Sequence, residues 1–198
     1  MFAFDQQAAI SLNHLSLSHP LWNVLATILA KYSPELWAVL FLLFWFWPPR
    51  VQNRARRAVV YAVLAGVLAL VVNVVLGHLL PYRPRPFVYL PTLIHPLVAH
   101  NPGTSFPSDH AAGSFAFAVA LFYAGRRDGW WALLFAAAVA VARVYVGLHW
   151  PSDVLAGALI GTVCGLWVLS VRDHLEGLVR VLFGLFRIQG GRRYRFRR

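Results

Sequence analysis

The stretch from Ala58 to Leu80 reads AVVYAVLAGVLALVVNVVLGHLL and holds no Asp, Glu, Lys or Arg. A helix of about 20 such residues crosses a bilayer unaided, because its backbone hydrogen bonds are all internal. Similar blocks recur on both sides. Ser108 to Ala124, Trp130 to Val146 and Pro151 to Val171 read as helices, the first capped by Ser108 and the last with Pro151 in its first turn. Toward the N-terminus, Pro20 to Ala30 is apolar but short, Lys31-Tyr32-Ser33-Pro34 interrupts it, and Glu35 to Trp47 runs on to Pro48-Pro49. That region fits either one broken crossing or a short pair. Residues 3–17 and His174 to Ile188 have amphipathic helical spacing and are expected to lie at the membrane surface. The expected fold class is all-α: a polytopic membrane bundle of about five or six transmembrane helices, forming a single domain over residues 1–198.

Composition agrees. Hydrophobic residues make up 59% of the 198 and charged residues only 13%, where soluble domains carry about 25%. The single cysteine, Cys164, excludes a disulfide framework within the chain. Asp5 and the lack of a basic N-terminal run give no sign of a cleavable signal peptide.

The net charge of +11 raises the question of nucleic acid, but the basic residues lie between and after apolar blocks rather than on one soluble face. They read as topology determinants, and no nucleic-acid partner is expected. Arg50, Arg54, Arg56 and Arg57 follow the second block, Arg126 and Arg127 the fourth, and further arginines, including those of a 190–198 tail, follow the last span. If these regions share the cytoplasmic side, then of the 18 basic residues only Lys31, Arg83, Arg85 and Arg143 fall opposite. That opposite, extracytoplasmic face also receives His78, His110, His149 and Asp153.

Three clusters there carry chemistry. Pro81-Tyr82-Arg83-Pro84-Arg85-Pro86-Phe87 presents two guanidinium forks on a stiff backbone, suited to phosphate oxygens; a plain juxtamembrane basic loop is the competing reading. Ser105-Phe106-Pro107-Ser108-Asp109-His110 leads into a helix whose first-turn N–H groups and dipole favour an anion, with Ser108 adding a hydroxyl and His110 a proton donor. Arg143 ends one helix, Asp153 begins the next, and His149 stands four residues before Asp153. A carboxylate at that spacing can accept one imidazole N–H and leave the other nitrogen basic, as a nucleophile toward phosphorus requires. Singly each cluster has an inert alternative; on one face they describe a phosphoryl-transfer site. The carboxylates are too few and scattered for a two-metal site, and no metal or other cofactor is expected.

In order and spacing these residues resemble the type 2 phosphatidic acid phosphatase superfamily, whose motifs are K-x6-R-P, P-S-G-H and S-R-x5-H-x3-D. Here they read His78-x6-Arg85-Pro86, Pro107-Ser108-Asp109-His110 and Ala142-Arg143-x5-His149-x3-Asp153, a motif core over 78–153. The resemblance implies that His149 forms a phosphohistidine, that Asp153 orients it, that His110 protonates the leaving group, and that Arg85, Arg143 and Ser108, with the backbone near Asp109, hold the phosphate without a metal. His78 stands at the lysine position, so the first-motif cation falls to it or to Arg83. Ala142 removes a hydroxyl, and Asp109 puts a carboxylate beside the phosphate that would repel it unless paired with an arginine. The strings RPRPFV and SFPSDHA are similar to the undecaprenyl-diphosphatase, bacitracin-resistance branch. That branch implies a polyprenyl diphosphate substrate, a bacterial plasma membrane and a role in recycling the cell-wall carrier lipid.

Overall fold

A computed structural model describes residues 3–46 and 52–185. Pro48-Pro49, Arg50, the last residues of the amphipathic C-terminal stretch and the basic tail lie outside the described residues. The described residues form helices and connecting segments with no strand. The helices are α1 (Ala3–His14), α2 (Pro20–Trp45), α3 (Gln52–Leu79), the short α4 (Pro86–Tyr89), α5 (Asp109–Leu121), α6 (Arg126–Tyr145), α7 (Pro151–Ser170) and α8 (Arg172–Leu185).

Four of them, α2, α3, α6 and α7, are long and apolar enough to cross a membrane. The choice left open for residues 20–47 resolves in favour of one helix: α2 continues through Tyr32, which leaves helical geometry at φ −108° and ψ 15°. Pro34 explains the kink, since its ring clashes with the preceding turn and its nitrogen has no hydrogen to give the Ala30 carbonyl. Arg143 Nη1 donates to that freed carbonyl at 2.8 Å instead. Four long helices thus surround α5, whose 13 residues run from Ser108 at one end of the bundle to the neighbourhood of Tyr123 at the other.

α5 is the axis of the bundle. Ala112 and Ala116 face α7 through Gly157, Gly161 and Gly165, spaced four apart. A Cβ at Gly157 would lie 2.5 Å from the Ser108 carbonyl oxygen, and one at Gly165 2.8 Å from Val119 Cβ. Small residues let the backbones touch, the contact that substitutes for a hydrophobic driving force in lipid. The same approach sets the N-termini of α5 and α7 side by side, with Ser108 N donating to the Asp153 carbonyl at 3.2 Å.

The two ends of the bundle differ in kind. At one, Arg54 Nε donates to the Tyr123 carbonyl, Arg56 Nε to the Trp45 carbonyl, and Arg57 pairs with Glu176 of α8 at 2.8 Å. α8 packs Leu175, Val179, Leu182 and Phe183 against the core, while Leu178 and Val181 of its apolar spacing stay exposed. At the other end meet the C-termini of α3 and α6, the N-termini of α5 and α7, and α1. The N-terminal helix is present as expected, but its buried stripe is Asp5, Ala9 and Asn13 while Phe4 is exposed. Asn13 docks it, donating from Nδ2 to the His95 and Tyr145 carbonyls and accepting from His95 N.

Candidate active site

The connection between α6 and α7 is short and tightly held. Gly147 adopts φ 79°, a conformation open to glycine, and a Cβ there would lie 2.8 Å from Ile94 Cγ2. Leu148 N and His149 N both return to the Arg143 carbonyl. Trp150, fully buried, donates its backbone N–H to Asp153 Oδ2 at 2.8 Å and its indole N–H to the Pro84 carbonyl at 2.9 Å. His149 is thus aimed by backbone on both sides, and it is 3% exposed.

Its ring nitrogens have distinct partners. Arg143 Nη2 lies 3.0 Å from Nε2, Arg85 Nη1 lies 3.3 Å from it, and Nδ1 lies 2.9 Å from the Ser105 carbonyl. A guanidinium only donates and a carbonyl only accepts. Nδ1 therefore carries the hydrogen and Nε2 the lone pair. Burial, then the charges of Arg143 and Arg85, hold the His149 pKa well below the usual 6.5. The imidazole is neutral at physiological pH, with its basic nitrogen turned to two arginines.

Both arginines are buried and leave their Nε–H groups without a hydrogen-bond partner. Buried donors in want of an acceptor are uncommon and suit an incoming anion. They line a cavity of about 390 Å³ together with Asn73, His78, His100, Asp109, His110 and His149. Residues from all three motifs share that cavity. It offers a basic imidazole nitrogen, two guanidinium forks and further imidazoles around one cavity.

The comparisons with known proteins agree with this geometry. A family model described as the PAP2 superfamily matches residues 57–175. The chain belongs to the PAP2 superfamily. It is 27% identical to the undecaprenyl-diphosphatase BcrC of Bacillus subtilis strain 168, over 89% of this chain and 88% of that one. It is 32% identical to a Bacillus licheniformis protein named bacitracin transport permease protein BcrC, over 86% and 82%. Among solved structures, the crystal structure of Aquifex aeolicus LpxE is similar with a TM-score of 0.70 and 29% identity, covering 85% of this chain and 96% of that one.

Not every residue expected at the site lines this cavity. His78, Arg85, Asp109, His110, Arg143 and His149 line the cavity; Ser108, Arg83 and Asp153 do not. Ser108, expected on the phosphate, is fully buried and accepts from Ala111 N as the N-cap of α5. Arg83, also expected on the phosphate, is engaged by two carboxylates: Nη1 donates to Asp153 Oδ1 and Nη2 to Asp5 Oδ2, each at 2.7 Å. Asp109 accepts from Asn73 Nδ2 at 2.9 Å, an amide instead of the arginine its position called for. Asp153 Oδ2 is 3.6 Å from His149 Nδ1, close but beyond a hydrogen bond, and the Ser105 carbonyl takes that proton.

Four residues in or behind this candidate site were given no role by the motifs: Asn73 and His100, which line the cavity, and Ser105 and Asp5, which do not. Asn73 carried a signal, as a lone amide in the otherwise apolar stretch quoted first. His100, from the long loop, receives Arg143 Nη2 at 3.4 Å, and burial followed by Arg85 and Arg143 pushes its pKa down to about 4. Ser105 acts through its carbonyl, which no side-chain motif reports.

Proposed function

We propose that this chain is a multi-pass lipid phosphatase that hydrolyses undecaprenyl diphosphate to undecaprenyl phosphate and inorganic phosphate, with its site on the extracytoplasmic face of a bacterial plasma membrane. The observation that carries the reading is the His149 tautomer, with the Nε2 lone pair turned to the guanidiniums of Arg85 and Arg143, whose Nε–H groups have no acceptor. The substrate rests on the undecaprenyl-diphosphatase name of the Bacillus subtilis relative and on the motif variants quoted above.

In the proposed reaction the terminal phosphoryl group displaces the arginine contacts at Nε2, and its oxygens take the two forks. Nε2 attacks phosphorus as the bridging P–O bond breaks, and His110, which takes up a proton as the diphosphate anion binds beside it, gives that proton to the departing lipid phosphate. The Ser105 carbonyl, with Asp153 behind it, holds the Nδ1 proton and steadies the charge that the ring acquires. His110 then takes a proton from water as the water attacks phosphohistidine, releasing inorganic phosphate and restoring His149. No metal takes part in this scheme, and the whole chain acts as one catalytic domain. The basic end of the bundle, opposite the cavity, supports the orientation through the positive-inside rule.

A transport reading draws on the name of the Bacillus licheniformis relative. It gives no role to a histidine held as a nucleophile. The test is phosphate release by the purified protein from a lipid panel: undecaprenyl diphosphate, phosphatidylglycerophosphate, diacylglycerol diphosphate and a lipid A phosphate. The polyprenyl diphosphate is expected among the best substrates. A clear preference for another lipid overturns the substrate, and no release from any lipid overturns the enzyme.

A further inference from the structure

Asp5 lies on α1, near the N-terminus and remote in sequence from every motif, yet it is 1% exposed. A carboxylate taken out of water needs strong compensation. Its partners are specific. Oδ2 accepts from Arg83 Nη2 at 2.7 Å and from the Ser152 hydroxyl at 2.7 Å, and Oδ1 accepts from Ser152 N at 2.9 Å. Every one of these donors bears on Asp153. Arg83 holds Asp153 Oδ1 with its other nitrogen, and Ser152 is the residue before Asp153 in the first turn of α7. A continuous chain of contacts runs from Asp5 through Arg83 to Asp153, and from Asp153 to His149 Nδ1 at 3.6 Å.

Docking α1 does not explain this arrangement, because Asn13 already fastens the helix with three hydrogen bonds to the His95 and Tyr145 backbone. Nor does Arg83 need Asp5 for neutrality, since Asp153 alone would balance it. What Asp5 adds is a second anchor. With one nitrogen on each carboxylate, the Arg83 guanidinium is fixed in a single pose, and Ser152 is held from the opposite side. Arg83 without Asp5 is free to turn both nitrogens onto Asp153 and draw it away from the imidazole.

We infer that Asp5 is a positioning residue for the phosphoryl-transfer site, acting through Arg83 and Ser152 to hold Asp153 against His149. The N-terminal helix is then part of the catalytic apparatus rather than only a membrane-surface element. The inference rests on the proposed role of His149 and extends it.

The experiment compares wild type, Asp5→Asn, Arg83→Met and the double variant in detergent, on whichever lipid phosphate the wild type hydrolyses. Single turnovers with saturating enzyme in excess report the rate of the chemical step independently of any inactive fraction. Thermal midpoints and KM are measured beside them. Asp5→Asn is expected to slow the single-turnover rate about tenfold or more, as a small misplacement of a catalytic group does, with KM changed less than about twofold. Adding Asp5→Asn to Arg83→Met is expected to cost less than Asp5→Asn costs alone, because both converge on Asp153 and only the Ser152 arm is left to lose. A wild-type rate constant in Asp5→Asn overturns the inference, whether or not the thermal midpoint falls, since a purely structural residue lowers stability and active fraction but not the rate. Independent, multiplicative losses in the double variant also overturn it. A wild type inert on every lipid phosphate sinks the parent reading, whereas an active wild type with an unimpaired Asp5→Asn sinks only this inference.

Discussion

His149 lies where two opposing needs meet. A nucleophilic nitrogen must be unprotonated, and a phosphate site must be positively charged. Burial and the neighbouring guanidiniums answer both, because the same Arg85 and Arg143 that would bind the anion keep the imidazole neutral before it arrives. His149→Ala is expected to lower kcat by about 10³-fold or more while the protein still elutes as a folded species on gel filtration; turnover within tenfold of wild type would contradict the mechanism. The same pKa has a stability consequence. The folded value lies below the unfolded 6.5, so below pH 6.5 the unfolded chain binds a proton that the folded chain refuses. The stability is present above pH 6.5 and is lost as pH falls from there toward the folded pKa. The thermal midpoint should drop between pH 6.5 and 5 more steeply in wild type than in His149→Gln, and parallel curves would contradict the assignment.

At the scale of elements, the site depends on how closely α5 and α7 approach. Gly161 meets the Ala112 carbonyl so closely that no side chain fits between them. Gly161→Leu is expected to force the two helices apart and cost about 3 kcal/mol or more, the upper range for overpacking. It would show as loss of monodisperse protein in detergent, and a variant with wild-type stability and activity would refute the packing. The spans α3, α6 and α7 were legible in the sequence because lipid demands long apolar runs with no polar interruption. The three motifs were legible because their spacing is local to loops and helix ends. The glycine spacing on α7 was also open to reading, as a small-residue stripe every four positions. The single path of α2 was not, since a proline kink and a two-helix turn share the same punctuation. What no pattern announced were contacts between distant segments. Asp5 with Ser152 is one, the Ser105 carbonyl with His149 is another, and Asn73 with Asp109 is a third.

The whole molecule has a chemical end and a basic end, and orientation in the membrane decides whether the site meets lipid released outside the cell. The single cysteine, Cys164, is buried, which makes labelling direct. A cysteine at exposed Thr92, in the loop on the cavity side, is expected to react with an impermeant maleimide in intact cells; one at exposed Arg127, at the opposite end, is expected to react only after lysis. The reverse pattern would place the site in the cytoplasm. The central claim, attack by His149 on phosphorus, is tested most directly by trapping the intermediate. Protein mixed with polyprenyl diphosphate labelled at the terminal phosphate and quenched in base should carry a base-stable, acid-labile label that maps to the peptide containing His149 and is missing from His149→Ala. Turnover without any such label, or a label that persists in His149→Ala, would contradict the account.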